Sequence, residues 1–91
     1  MTVRVVLPMS LRQYADGKST IDVDGATITA ALGNLTQKYG DLQPFIVDDS
    51  GRPLGYLNLF VNEKSVVAND SDEVTLNDGD ELLVVSAIAG G

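Results

Sequence analysis

Apolar and polar residues alternate over several short stretches of the chain, a pattern typical of β-strands that bury one face. Strands are predicted at residues 3–7, 19–23, 56–61, 65–67 and 82–87. The clearest is 56–61, in which Leu57, Leu59 and Val61 would share one face. Phe60 would then point from the opposite face into solvent. The turn residues Asp16, Gly17 and Lys18 predict that the first two strands form a hairpin.

One segment, residues 27–39, has the 3.6-residue period of an amphipathic helix. Its apolar stripe consists of Ile28, Ala31, Leu32, Leu35 and Tyr39. Thr27 is a predicted N-cap, and Gly40 lies where a helix would end in the left-handed conformation. Gly33 inside the helix lowers helix stability by up to about 1 kcal/mol. It either permits a close approach of the helix to a strand or is only tolerated. Residues 41–53, with two prolines and a glycine, are predicted to form a loop.

The predicted order is strand, strand, helix, strand, short strand and last strand. This order favours an α+β fold of the ubiquitin-like β-grasp kind: a mixed sheet of four to five strands with one main helix packed on one face. We expect one domain over 1–91, with a protruding, flexible tail at 87–91 that follows a central last strand. The predicted core between helix and sheet consists of Ile21, Leu32, Leu35, Leu57, Leu59 and Val84.

The sequence ends in Gly90-Gly91. Glycine has no Cβ, so such an end could enter a channel too narrow for a side chain. The α-carboxylate of Gly91 is inert as it stands, but it can be converted into an acyl-adenylate and then into a thioacid or an amide. The alternative is an inert, frayed terminus.

Composition excludes several classes of function. The chain has no cysteine and no histidine, which removes disulfides, thiolate nucleophiles and the usual general base and metal ligand. We therefore expect no metal site and no resident cofactor. Thirteen acidic residues against six basic ones give a net charge of −7, which argues against nucleic-acid and anionic-membrane partners. No apolar run approaches a membrane span, so a cytoplasmic location is expected.

Three segments resemble the sulfur-carrier branch of the ubiquitin-like proteins. They are residues 56–63 (YLNLFVNE), 76–82 (LNDGDEL) and 87–91 (AIAGG). This branch includes the molybdopterin synthase small subunit, the thiazole-synthesis sulfur carrier and the actinobacterial cysteine-synthesis sulfur carrier. The strand 56–63 and the length of the loop that follows it look most like the last of these.

The resemblance implies a carrier that is not itself an enzyme. An E1-like adenylating and sulfurylating enzyme would use ATP to activate the Gly91 carboxylate, with Gly90 giving access. A sulfur-accepting biosynthetic enzyme would then take sulfur from the Gly91 thiocarboxylate, and the free carrier would be a monomer. The expected partner-binding residues are Val6, Phe60, Leu83 and Val85 on the open face of the sheet, and Ile88 and Ala89 in the tail.

Other interpretations stay open at the level of sequence. The chain could be the small subunit of molybdopterin synthase, or a protein modifier joined to lysines through Gly91. From a different class, it could be an interaction domain with an inert tail. An enzyme that uses paired carboxylates, Asp48 with Asp49 or Asp78 with Asp80, is disfavoured because both pairs lie in turn-like segments.

Overall fold

A computed structural model of the protein describes residues 2–55, 57–66 and 73–86. Its strands are β1 (Thr2–Val6), β2 (Thr20–Asp24), β3 (Leu57–Val61), β4 (Lys64–Val66) and β5 (Glu81–Ser86). Its helices are α1 (Ile28–Lys38) and the one-turn α2 (Gln43–Ile46), with 3₁₀ segments at Met9–Ala15 and Gly40–Leu42. Tyr56 and the tail 87–91, including its predicted flexibility, lie outside the described residues.

The five strands form one mixed sheet in the order β2-β1-β5-β3-β4. The central pair, β1 and β5, is parallel, and the other three pairs are antiparallel. Helix α1 crosses one face, as the hydrophobic stripe predicts. The β-grasp prediction is therefore confirmed, including the central position of the last strand.

The core lies between α1 and the inner face of the sheet. All six predicted core residues are buried: Ile21, Leu32, Leu35, Leu57, Leu59 and Val84. Helix and sheet approach each other closely at Gly25, because a Cβ there would lie 2.6 Å from the backbone of Ala31. Only glycine fits at this point of contact.

The start of α1 is as predicted, but its end is not. The Thr27 side chain caps the helix by accepting a hydrogen bond from the Ala30 N–H at 3.1 Å. Gly40 does not take a left-handed conformation; it begins the 3₁₀ segment that follows the helix. Because the chain continues as a 3₁₀ helix after α1, Leu42 is buried in the core. This burial explains why the chain does not end its helical path at Gly40. A Cβ at Gly33 would meet nothing within 4 Å, so this glycine is tolerated and serves no close packing.

The predicted loop at 41–53 was also wrong in part, since it contains α2. Pro44 fits the first turn of a helix, where its missing N–H has no intrahelical partner. Ile46 is fully buried, and its backbone carbonyl accepts a hydrogen bond from Leu54 at 2.9 Å. Within the described residues, no helix is long and apolar enough to cross a membrane.

Candidate partner-binding face and the root of the tail

The outer face of the sheet carries a group of apolar side chains from three neighbouring strands. Leu83 on β5 is paired in register with Val6 on β1 and with Phe60 on β3. Val85 lies two residues further along β5 and therefore shares this face. We call these four residues, Val6, Phe60, Leu83 and Val85, the sheet-face patch. The structure brings together all four of the strand residues that the sequence singled out.

The exposure of Phe60 differs from the sequence-based expectation. Phe60, like the other three members of the sheet-face patch, is partly buried rather than free in solvent. The reason is the width of the sheet: Phe60 has Leu83 on one side and Ser65 on the other, and such cross-strand neighbours cover much of each other's surface. Its ring thus already contributes to the fold, and a partner would cover the remainder.

A charged row lies beside the patch, two residues back along β1 and β5. Arg4 is paired in register with Asp22 on β2 and with Glu81 on β5. The Arg4 Nε lies 3.6 Å from the Asp22 carboxylate, with both side chains about three-fifths exposed (59% and 62%). Such an exposed pair contributes little stability. The outer face is therefore apolar towards the end of β5 and charged towards its start.

Side chains from two turns hold the start of β5. The Asp80 carboxylate accepts hydrogen bonds from the Asn77 N–H at 2.8 Å and the Asn62 Nδ2 at 3.0 Å. The Asn62 Oδ1 in turn accepts from the Glu81 N–H at 3.0 Å. The Asn77 N–H, followed by the Asn62 amide, lowers the pKa of Asp80 below its usual value, because both bonds favour the ionised form.

The same turn is tied to the first strand. The Asp78 Oδ1 accepts from the Thr2 N–H at 2.9 Å, and the Gly79 N–H donates to the Thr2 carbonyl at 2.8 Å. Gly79 has a φ of 86°, which explains why glycine occupies this place. Sequence reasoning treated 77–80 as a solvated turn and missed this arrangement, because its partners lie far away in the chain.

Neither pair of neighbouring carboxylates forms an acid–base site. Asp78 and Asp80 hold backbone groups, as described above. The Asp48 carboxylate accepts hydrogen bonds within its own turn, from the Ser50 Oγ at 2.6 Å and the N–H of Arg52 at 3.1 Å. The Ser50 hydroxyl, followed by the Arg52 N–H, lowers the pKa of Asp48. In the described part of the chain, no group of three or more acidic side chains is arranged to hold a metal ion.

The root of the tail is the end of β5. Ser86, its last residue, is paired in register with Leu57 at the beginning of β3. Five residues follow it, and a fully extended stretch of that length spans at most about 17 Å. The predicted tail residues Ile88, Ala89, Gly90 and Gly91 lie outside the described residues.

Two apolar side chains that sequence reasoning did not single out are exposed. Met9 is 80% exposed and Phe45 is 38% exposed. The Phe45 ring stacks on Tyr14, with 4.7 Å between ring centroids and 23° between ring planes. Neither residue lies in a segment with a helical or strand period, so no periodic pattern in the sequence could have indicated that these side chains are exposed.

A β-grasp sheet whose central last strand leads into a Gly-Gly end defines the class of small ubiquitin-like carriers. The chain belongs to the ThiS family, whose model matches residues 5–91. It is 28% identical over 93 residues to the sulfur carrier protein CysO of Mycobacterium tuberculosis, and the alignment covers 100% of both chains. It is 35% identical over 91 residues to the ubiquitin-related modifier 1 of Kluyveromyces lactis, covering 94% of this chain and 87% of the relative.

Solved structures agree with this assignment. A chain in the crystal structure of the BexX/CysO complex of Amycolatopsis orientalis superposes with a TM-score of 0.84 at 26% identity. The match covers 98% of this chain and 99% of that chain. The protein is therefore a sulfur carrier of the CysO type, a substrate of partner enzymes and not itself an enzyme.

Proposed function

We propose that the carboxylate of Gly91 is adenylated by an ATP-dependent, E1-like enzyme and then converted into a thiocarboxylate. The thiocarboxylate donates its sulfur in the synthesis of cysteine or of another sulfur-containing metabolite. One observation carries this proposal: the alignment with CysO of M. tuberculosis spans both chains completely and so reaches Gly90 and Gly91. ATP belongs to the activating enzyme, and the carrier holds no cofactor of its own.

The proposed chemistry requires nothing from the side chains of the carrier. A carboxylate oxygen of Gly91 attacks the α-phosphate of ATP, and pyrophosphate leaves. A sulfur nucleophile supplied by the partner then attacks the acyl carbon and displaces AMP, leaving sulfur in place of one oxygen. The absence of cysteine and histidine from the chain is compatible with this scheme, because every catalytic group belongs to the partner.

The sheet-face patch supports a partner-binding role. It is the apolar part of the outer face and lies towards the end of β5, on the side from which the tail leaves the sheet. We propose that it docks on the activating enzyme and, in a separate complex, on a sulfur-accepting enzyme. The A. orientalis structure contains CysO in a complex with BexX, which supports binding to partner proteins. The free carrier is proposed to be monomeric and cytoplasmic.

The direct test is a reconstitution with the activating enzyme encoded in the same genome, ATP and a sulfide source. The expected product is heavier by about 16 Da, the difference between sulfur and oxygen, and the change lies on Gly91. A variant without Gly90 and Gly91 is the control and should stay unmodified. Unchanged sulfur transfer by that truncated variant would refute the proposal.

A second function is favoured by the similarity to the ubiquitin-related modifier 1 of K. lactis. In that case the activated Gly91 carbonyl is attacked by a lysine amine, and an isopeptide bond replaces the thiocarboxylate. Tandem mass spectrometry of proteins that co-purify with the tagged carrier under denaturing conditions distinguishes the two. Trypsin cleaves the carrier last after Lys64, so partner lysines that carry residues 65–91 as a branched peptide would show conjugation. A carrier with only sulfurated termini would not produce such branched peptides.

A further inference from the structure

We propose that a second apolar surface, formed by Met9, Tyr14 and Phe45, docks against the rim of the channel through which the activating enzyme receives the tail. We call these three residues the tail-root patch. This inference rests on the proposed function, because it assigns a further contact to the same activating enzyme. It concerns the helical side of the molecule, whereas the sheet-face patch lies on the outer face of the sheet.

Topology places Met9 at the edge of the sheet from which the tail leaves. Strands β1 and β5 are parallel, so both end at the same edge. Val6 is the last residue of β1, and Met9 follows three residues later at the start of the first 3₁₀ segment. The sheet-face patch also reaches this edge, because Val6 belongs to it.

Phe45 lies near the same edge for a different reason. Strand β3 is antiparallel to β5, and it begins at Leu57, opposite Ser86. Backbone hydrogen bonds connect the end of α2 to the start of β3: the Leu54 N–H donates to the Ile46 carbonyl, and the Leu57 N–H donates to the Leu54 carbonyl. Helix α2 is therefore held beside the start of β3, and its Phe45 stacks on Tyr14 of the segment that begins with Met9.

The length of the tail determines what covers this edge. Gly91 is five residues beyond Ser86, so its carboxylate can be at most about 17 Å from the end of β5. An enzyme that adenylates it encloses the nucleotide, and the enzyme's surface must therefore come closer to Ser86 than that. The activating enzyme consequently approaches the very edge that carries Met9 and Phe45.

Exposure supports this assignment. Among the described residues, Met9 and Phe45 are the large apolar side chains that are exposed, and both lie towards the tail edge. Single exposed apolar residues are common, but their concentration at the edge that a partner must approach favours an interface. Methionine is flexible and polarisable, so its side chain can adapt to the surface of the activating enzyme.

Oxidative footprinting tests the contact directly. The carrier is treated with dilute hydrogen peroxide, alone and with saturating activating enzyme, and sulfoxide on the Met9 peptide is followed by mass spectrometry. A methionine-containing reference peptide in the same tube corrects for peroxide consumed by the enzyme. We expect Met9 to be oxidised at least fivefold more slowly in the complex. An unchanged rate of Met9 oxidation would overturn the inference.

Kinetics test whether the contact contributes to recognition. Met9→Gln removes the apolar surface without adding charge, and Ala30→Gln is a matched control on an exposed site in the first turn of α1, towards the opposite edge. In ATP–pyrophosphate exchange, Met9→Gln should raise the KM for the carrier about tenfold, since burying a methionine side chain favours binding by about that much. The kcat of Met9→Gln should stay within twofold of the parent value, and its melting temperature within a few degrees. For Ala30→Gln, KM and kcat should both stay within twofold, and the melting temperature within a few degrees.

The outcomes separate this inference from the proposed function. No pyrophosphate exchange with the unmodified carrier would overturn both. Normal exchange, with Met9→Gln indistinguishable from Ala30→Gln, would overturn only the tail-root patch. A concentration-dependent dimer in sedimentation that Met9→Gln abolishes, with Met9 unprotected by the enzyme, would assign the surface to a second copy of the chain and also overturn it.

Discussion

Leu59 and Phe60 are neighbours on β3 that point to opposite faces of the sheet, so alanine at each position should affect different properties. Leu59 is completely buried and is paired in register with the equally buried Val84. Phe60 is partly buried on the outer face, beside Leu83. The pair of variants therefore separates the contribution of the core from that of the partner-binding face within one strand.

The expected magnitudes follow from burial. Leu59→Ala leaves a cavity in a closed core and should lower the free energy of unfolding by about 2–5 kcal/mol. In a domain of this size that corresponds to a fall in melting temperature of about 10 °C or more. Phe60→Ala removes cross-strand contacts on a half-open face and should cost only about 1 kcal/mol. In a complex, however, loss of the ring should weaken binding by about 2 kcal/mol, because it would lie at the centre of the interface.

Urea unfolding followed by circular dichroism gives the stability of both variants, and ATP–pyrophosphate exchange gives the KM for the activating enzyme. We expect Leu59→Ala to be strongly destabilised, with a normal KM at a temperature where it is folded. Phe60→Ala should stay close to the parent in stability and show a KM raised at least tenfold. The reasoning is refuted if Phe60→Ala loses as much stability as Leu59→Ala while its KM stays unchanged.

Three further predictions follow from local geometry. Gly33→Ala should raise stability by up to about 1 kcal/mol in urea unfolding, since its Cβ meets nothing, whereas Gly25→Ala should lower it, because its Cβ would collide with Ala31. The depressed pKa of Asp80 means that its contribution to stability is present above the usual value of 3.8 and is lost as pH falls through the lower folded value. Asp80→Asn should therefore be less stable at neutral pH and lose less stability on acidification; equal acid profiles of Asp80→Asn and the parent would contradict this. Gly91→Ala should slow adenylation in pyrophosphate exchange, because a methyl group narrows the path to the nucleotide; an unchanged kcat would mean that the channel accepts a side chain.

Helix α1 and strand β3 were predictable because each has a strong period. The stripe from Ile28 to Leu35 fixed both the existence and the orientation of α1, and the alternation from Leu57 to Val61 fixed which side of β3 is buried. With those two faces known, the inward position of Val84 and the outward position of Leu83 followed. The assignment of the sheet-face patch to one side rested on the same alternation.

Features that depend on distant partners were not predictable. Glycine at position 40 locally favours a left-handed residue that ends the helix, but burial of Leu42 and Ile46 outweighs that preference. The partly buried state of Phe60 depends on the width of the sheet, which its own strand does not reveal. The bond between Asn62 and Asp80 joins residues 18 positions apart, and no local pattern indicates such a pair.

The division between a rigid body and a short tail explains why different mutations should affect different kinetic constants. Strand β5 lies between β1 and β3, and its start is held by Asp80 and Asn62, so docking of the body fixes Ser86 relative to the enzyme. The Gly91 carboxylate can then lie no more than about 17 Å from Ser86, because five residues separate the two. Docking of the body thus brings the carboxylate within reach of the nucleotide site, and the carboxylate needs little further affinity for that site. Changes on the sheet-face patch or the tail-root patch should therefore raise KM, whereas changes at Gly91, which act after docking, should lower kcat.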